Sequence, residues 1–134
     1  MKAETSLHSK RGRSIVGTVD SKARERGWFF GRFMDEPLLH SELVEVAWQK
    51  VPNRTPSADQ RHLHRHTVEV NVVLSGSIRL KIDEVEHNLR KGGFFVVWPE
   101  SVVSEITTDA ETEILVVRAP SVADDKLTLG VGET

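Results

Sequence analysis

The amino-acid sequence predicts an all-β protein, a sandwich or barrel of about eight to ten short antiparallel strands. The apolar residues either alternate with polar ones or form runs of strand length, and turn residues separate these runs. No segment has the pattern of a helix longer than two turns. A chain of 134 residues is long enough to close one core, so we expect a single domain.

The predicted strands follow one another at short intervals from the aromatic segment 27–33 to the strongly apolar segment 112–119. In 42–51, Val44, Val46 and Trp48 alternate with residues of the opposite face, which is the period of a strand. Further strands are predicted at 68–74, 78–82, 85–89, 94–98 and 102–107. Segment 27–33 has two interpretations: a strand in the wall or at a subunit interface, or a stacking platform for a sugar ring or base.

The remaining segments divide the chain into three parts. Residues 1–26 are basic and Ser-rich, and we expect an arm that is loosely ordered or adds an edge strand at 14–19. Residues 27–120 form the domain, and residues 121–134 are predicted to be a polar tail. The segment 51–60, which contains two Pro together with Asn, Ser and Asp, is predicted to be a loop that leads into the segment after it.

Composition excludes several classes of function. A formal net charge of −2 gives no electrostatic reason to expect nucleic acid as a partner. The absence of Cys excludes disulfides, zinc-thiolate sites and cysteine nucleophiles. No apolar run approaches the length of a membrane span, so we expect a soluble, cytoplasmic protein without a membrane partner.

The segment 61–76 carries the chemistry that the composition leaves open. It contains His62, His64 and, five residues later, Glu69, followed by the turn residue Gly76. Two His and one carboxylate can bind a first-row transition metal and leave coordination positions open. This segment resembles the first conserved motif of the cupin superfamily, His-x-His-x4-Glu-x6-Gly. The resemblance implies a small jelly-roll barrel with these side chains inside it.

The second cupin motif, Gly-x5-Pro-x-Gly-x2-His, is only half present. Gly93 and Pro99 match its first half, whereas Ser101 and Ser104 stand in place of the glycine and the third histidine. A register shifted by one residue would instead put Val103 at the ligand position. Strand alternation decides for Ser104 as the vacated position, because Ile106 would then face inward and Glu105 outward.

The resemblance implies that His62, His64 and Glu69 hold a divalent transition metal, Fe, Mn, Ni or Zn, with His66 or water completing the shell. Such a site would bind a small polar ligand or act as an oxygenase, isomerase or lyase. The alternative is a metal-free, non-catalytic module in which the same residues bind a sugar- or carboxylate-like ligand. A third alternative makes the histidines a solvated strand end without a role.

Strand 68–74 also predicts an association. With Glu69, Asn71 and Val73 on the pocket face, an apolar row points outward, formed by Val70, Val72 and Leu74. Something must cover that row. We expect a two-fold homodimer, with the N-terminal arm as the other candidate cover.

Overall fold

The computed structural model describes residues 9–20, 26–51 and 61–129. It contains one 3-10 helix, Pro37–Leu39, between the first two strands. The strands are β1 Trp28–Phe30, β2 Glu45–Val51, β3 His62–His64, β4 Val68–Ser75, β5 Ser77–Ile82, β6 Val85–Arg90, β7 Phe94–Val97, β8 Val103–Thr108, β9 Thr112–Ala119 and β10 Lys126–Thr128.

The ten strands form two five-stranded antiparallel sheets, which confirms the predicted all-β jelly roll. The first sheet has the order β1-β2-β9-β4-β7 and the second the order β10-β3-β8-β5-β6. Their inner faces pack together and form one buried core. This core takes residues from both sheets: Ala47, Val73, Ile78, Leu80, Val97, Val103, Ile114 and Val116. Burial of these side chains is the main source of stability in such a sandwich.

The central strand β4 alternates as predicted. Glu69, Asn71 and Val73 are buried on the inner face, whereas Val70 and Val72 are half-buried on the outer face. A polar pair therefore enters the interior of the barrel, which a core strand accepts only when partners satisfy the polar atoms.

The outer face of the first sheet is apolar across four strands. The strand register places Trp48, Leu115, Val72 and Phe94 side by side in one row. A second row of Val46, Val117, Val70 and Val96 runs beside it. Directly opposed residues of antiparallel strands point to the same side. We call these eight residues the outer apolar face; its edge is open, with Phe94 66% exposed.

The aromatic segment forms a strand, as one of its two interpretations predicted. β1 pairs with β2, and Trp28 packs against the buried core. The N-terminal segment differs from the expectation of an edge strand, because residues 14–19 form none and most of them are exposed. Lys10 nevertheless donates a hydrogen bond to the backbone carbonyl of His40, so this part of the arm contacts the domain.

The C-terminal boundary also differs from the predicted one. Instead of a polar tail from residue 121, the structure places β10 against β3 and buries Asp125 and Leu129. Residues 121–129 are thus part of the domain. Of the predicted loop at 51–60, Val51 is the last residue of β2. Residues 52–60 lie outside the described residues, as do residues 1–8, 21–25 and 130–134. No helix in the described ranges is long and apolar enough to cross a membrane.

Candidate functional site

A cavity of about 310 Å³ lies between the two sheets. One part of its wall is apolar, formed by side chains that include Ile78, Leu80, Val103, Ile106, Ile114 and Val116. The rest is polar, formed by side chains that include Arg26, Gln49, His62, Glu69, Asn71, Thr108, Arg118 and Lys126. The apolar residues come from β5, β8 and β9, whereas β4 and β9 contribute the polar Glu69, Asn71 and Arg118.

Glu69 is a buried carboxylate of the polar wall with three polar neighbours. Arg118 Nε donates to its Oε2 at 2.5 Å, and Asn71 Nδ2 donates to its Oε1 at 3.0 Å. His64 Nε2 lies 3.2 Å from the same Oε2. Burial would raise the pKa of Glu69, but His64, Arg118 and Asn71 outweigh it and hold this pKa well below its usual range. Glu69 is therefore an ionised carboxylate at neutral pH.

Arg118 is the functional residue that the sequence interpretation missed. The strand register places it directly between two carboxylates, opposite Glu45 on β2 and opposite Glu69 on β4. Its guanidinium also lies 4.8 Å from the centre of the Trp28 ring, within cation–π distance. A sequence signal existed, because Ile114 and Val116 face inward and alternation sends residue 118 the same way.

On the other side of Glu69, His64 lies between two acids. Its Nδ1 is 3.4 Å from Asp125 Oδ2, and the side chain is only 2% exposed. Neither ring nitrogen has a well-aligned hydrogen bond within the described residues, so these contacts are ones of proximity and charge. Asp125 was also missed from the sequence, since it lies in the stretch interpreted as a tail.

Asp125 fixes the turn between β3 and β4. Its carboxylate accepts hydrogen bonds from the backbone of His66 at 2.7 Å and from Thr67 Oγ1 at 2.7 Å. Burial would raise the pKa of Asp125, but the bonds from Thr67 and His66 outweigh it and lower that pKa. Glu45 shows the opposite shift: burial raises its pKa despite the nearby charges of Arg118 and Arg32.

No protein-family model and no curated protein sequence matches this chain. Solved structures do. The nucleoside dehydratase Pac13 of Streptomyces has 12% identity and a TM-score of 0.56 over 67% of this chain and 71% of its own. KdgF from Halomonas sp. has 15% identity and a TM-score of 0.56 over 81% of this chain and 98% of its own.

An RmlC-like cupin from Shewanella frigidimarina adds the decisive comparison, with 20% identity and a TM-score of 0.51. That match covers 63% of this chain and 72% of the other. The chain has the cupin fold. Sequence identities this low show the fold alone, so the chemistry of this protein must be read from its own residues.

The structure brings the predicted metal-binding residues together only in part. His64 and Glu69 are adjacent, whereas the rings of His62 and His64 lie 5.4 Å apart between centroids and nearly perpendicular, at 83°. The side chain of His66 is exposed in the turn outside the cavity. His62 and Glu69 line the cavity directly.

The fit to a metal ion is poor as the residues are arranged. Both oxygens of Glu69 already accept hydrogen bonds, from Arg118 and from Asn71. Among the described residues, no group of three or more His, Asp or Glu side chains is placed to hold an ion. The predicted Fe, Mn, Ni or Zn site therefore stays a prediction.

The orientation predicted for β8 is correct for Glu105 and Ile106 and wrong for Val103 and Ser104. Val103, paired with His62, lines the cavity with Ile106, whereas Ser104 is buried elsewhere and does not line it. The reason is an irregularity in the pairing of β5 with β8, where Glu105 has a φ of 50°. The extra residue resets the alternation, so Val103 and Ile106 share a face although they are three residues apart.

Proposed function

We propose that the barrel cavity of this cupin binds a small organic anion, a carboxylate with an apolar body. The observation that carries this proposal is the composition of the polar wall, which three cationic side chains, Arg26, Arg118 and Lys126, line together with one carboxylate, Glu69. Glu45, the second carboxylate beside Arg118, does not line this cavity. A cavity wall with an excess of positive charge favours an anionic ligand through its local potential.

The donors of Arg118 support the carboxylate as the anionic group. Its Nε is used by Glu69, so the two terminal amino groups are the donors that extend beyond that bond. A guanidinium presents donors in a planar fork that matches a carboxylate, and a guanidinium stays charged at any physiological pH. Glu69 and Trp28 hold this fork in one orientation, which lowers the entropy lost on binding.

The apolar floor supports the second part of the ligand. Ile78, Leu80, Ile114 and Val116 present branched aliphatic surface to the cavity, which a sugar with hydroxyls on every carbon would cover poorly. A volume of about 310 Å³ is at the lower end for small-molecule pockets. The ligand is therefore compact, with one ring or a short chain beside its carboxylate.

A second candidate function is acid–base catalysis of an elimination or isomerisation in the same cavity. His62 supports it, because it is a buried histidine on the cavity wall and histidine is the common acid–base group near neutral pH. Pac13, which shares the fold, is described as a nucleoside dehydratase. Glu69 argues against the role of base, since a carboxylate with a pKa held so low is a weak one.

The test compares acid and amide probes of the same shape, phenylacetate against phenylacetamide and hexanoate against hexanamide, by calorimetry. We expect each acid to bind at least about tenfold more tightly than its amide, a difference of about 1.4 kcal/mol. Lys126→Gln should weaken the acid and leave the amide unchanged. Lys81→Gln is the matched control, because Lys81 pairs with Glu105 and does not line the cavity.

Equal affinity for acid and amide would overturn the proposal, as would equal loss from both lysine variants. The catalytic candidate is tested with His62→Gln in an NMR survey of carboxylates and nucleosides. Turnover that disappears in this variant while ligand binding persists would support catalysis. Elemental analysis of protein purified without an affinity tag tests the metal-dependent alternative separately.

A further inference from the structure

We infer that the guanidinium of Arg118 takes the place of a divalent metal ion in this cupin and keeps the site closed to metals. Three observations carry the inference: the spacing of His64 and Glu69, the position of Arg118 against that pair, and the carboxylate behind His64. The inference concerns the resident cation of the site, and it does not depend on which organic ligand the cavity binds.

The first observation is a distance. Two ligand atoms about 2.1 Å from one ion, at angles between octahedral and tetrahedral values, are about 3.0–3.4 Å apart. His64 Nε2 and Glu69 Oε2 are 3.2 Å apart. The nitrogen has no well-aligned hydrogen bond within the described residues, so its contact with Glu69 is one of proximity and charge. The pair has the separation of two ligands of the same ion.

The second observation is the location of a cation. An ion bridging this pair would lie about 2.1 Å from Glu69 Oε2. Arg118 Nε lies 2.5 Å from that same oxygen, so it competes for the position on steric grounds. A guanidinium does not lose its proton in proteins, which means that it also repels an incoming divalent cation. The Trp28 ring lies 4.8 Å from the Arg118 guanidinium and helps to hold it there, and Glu45 is directly opposite Arg118 in the strand pairing.

The third observation is the environment of His64. A histidine that binds a metal commonly directs its other ring nitrogen to a carboxylate, which fixes the tautomer. His64 Nδ1 lies 3.4 Å from Asp125 Oδ2, and the hydrogen bonds of Thr67 and the His66 backbone hold that carboxylate in place. The outer support of a metal-binding histidine is thus present, with an arginine where the ion would lie.

The test removes the guanidinium and uses metal alone as the probe. Arg118→Ala should bind Zn²⁺ or Co²⁺ with one-to-one stoichiometry and at least about 100-fold more tightly than the wild-type protein, measured by calorimetry. The Co²⁺ complex should show the visible absorption of a protein-bound ion. Adding Glu69→Gln or His64→Gln to Arg118→Ala should remove this binding. Arg118→Lys is the matched control and should stay metal-free, because it keeps the positive charge.

Arg118→Ala leaves Glu69 buried without its cation, so a second variant guards against loss of folding. Arg118→Gln retains a donor toward Glu69, and its melting temperature should rise when Zn²⁺ is added, since a ligand of the native state stabilises it. A folded Arg118→Ala or Arg118→Gln that binds metal no better than wild type would overturn the inference. Stoichiometric, Glu69-dependent metal binding by the wild-type protein would overturn it equally. Neither result bears on carboxylate binding.

Discussion

The buried carboxylate of Asp125 should be one of the most expensive side chains to remove from this protein. Asp125→Ala leaves three donors without their acceptor: the backbone of His66, the backbone of Thr67 and Thr67 Oγ1. Thr67 is 0% exposed, so water does not replace the lost bonds. Hydrogen bonds to a charged group contribute about 1.5–3 kcal/mol each, and one of the three is long. We expect a loss of about 3–5 kcal/mol in the free energy of unfolding.

Chemical and thermal denaturation followed by circular dichroism measure this loss. For a domain of this size it corresponds to a drop in melting temperature of about 10–20 °C. The neighbouring residue provides the control: Asp124 is exposed and has a φ of 54°, which Asn tolerates. Asp124→Asn should change the free energy of unfolding by less than about 0.5 kcal/mol. Equal effects at the two positions would refute the assignment of Asp125 to the interior.

The same residue predicts a dependence of stability on pH. The folded pKa of Asp125 is lowered, so its contribution is present above its unfolded pKa of about 3.9 and is lost as pH falls through the folded pKa. Glu69 acts in the same direction, because its pKa is also lowered, whereas the raised pKa of Glu45 acts in the opposite one. Asp125→Asn should therefore be less sensitive to acid below about pH 4 than the wild-type protein, in denaturant titrations at fixed pH.

Two further perturbations test the association and the turns. Val72→Asp places a charge in the outer apolar face; if that face is covered by a second copy, sedimentation should show a dimer for wild type and a monomer or insoluble protein for the variant. Val85→Asp, on the exposed edge strand β6, should leave the oligomeric state unchanged. Gly76→Ala should destabilise by about 3 kcal/mol or more, because φ is 75° and a Cβ would meet the Thr112 backbone at 2.5 Å. Gly92→Ala has a similar φ but open space, and should cost only about 1–2 kcal/mol.

The strands could be predicted because local periodicity reports burial directly. In β4, Glu69 and Asn71 alternate with valines, and that period of two fixes both the strand and its inner face. The C-terminal segment gave no such signal. β10 has only three residues, and what holds the segment to the domain is the pairing with β3 and the bonds from Asp125 to the turn at Thr67. Contacts between residues nearly sixty positions apart leave no local pattern in the sequence.

In β8, a single residue, Glu105, interrupts the alternation of inward and outward side chains. Strict alternation made Ser104 face inward, because Glu105 was expected outside and Ile106 inside. Glu105 is indeed exposed and pairs with Lys81. Its left-handed backbone conformation, however, inserts an irregularity, so Val103 takes the inner position opposite His62. Glutamate is not a residue that usually marks a positive φ, and the sequence therefore contained no sign of the break.

A metal-binding motif identifies ligands by their spacing in the sequence, but the affinity for an ion also depends on the other charges around its position. His64 and Glu69 lie five residues apart and were found from their spacing. Arg118 reaches the same oxygen of Glu69 from β9, because antiparallel pairing places residues 69 and 118 opposite each other. The guanidinium of Arg118 neutralises the buried charge of Glu69, which a metal ion would otherwise have to do. On our inference, Arg118 of the neighbouring strand decides whether this motif holds a metal. The feature that indicated an inward arginine was the alternation of β9, in which Ile114 and Val116 face the interior.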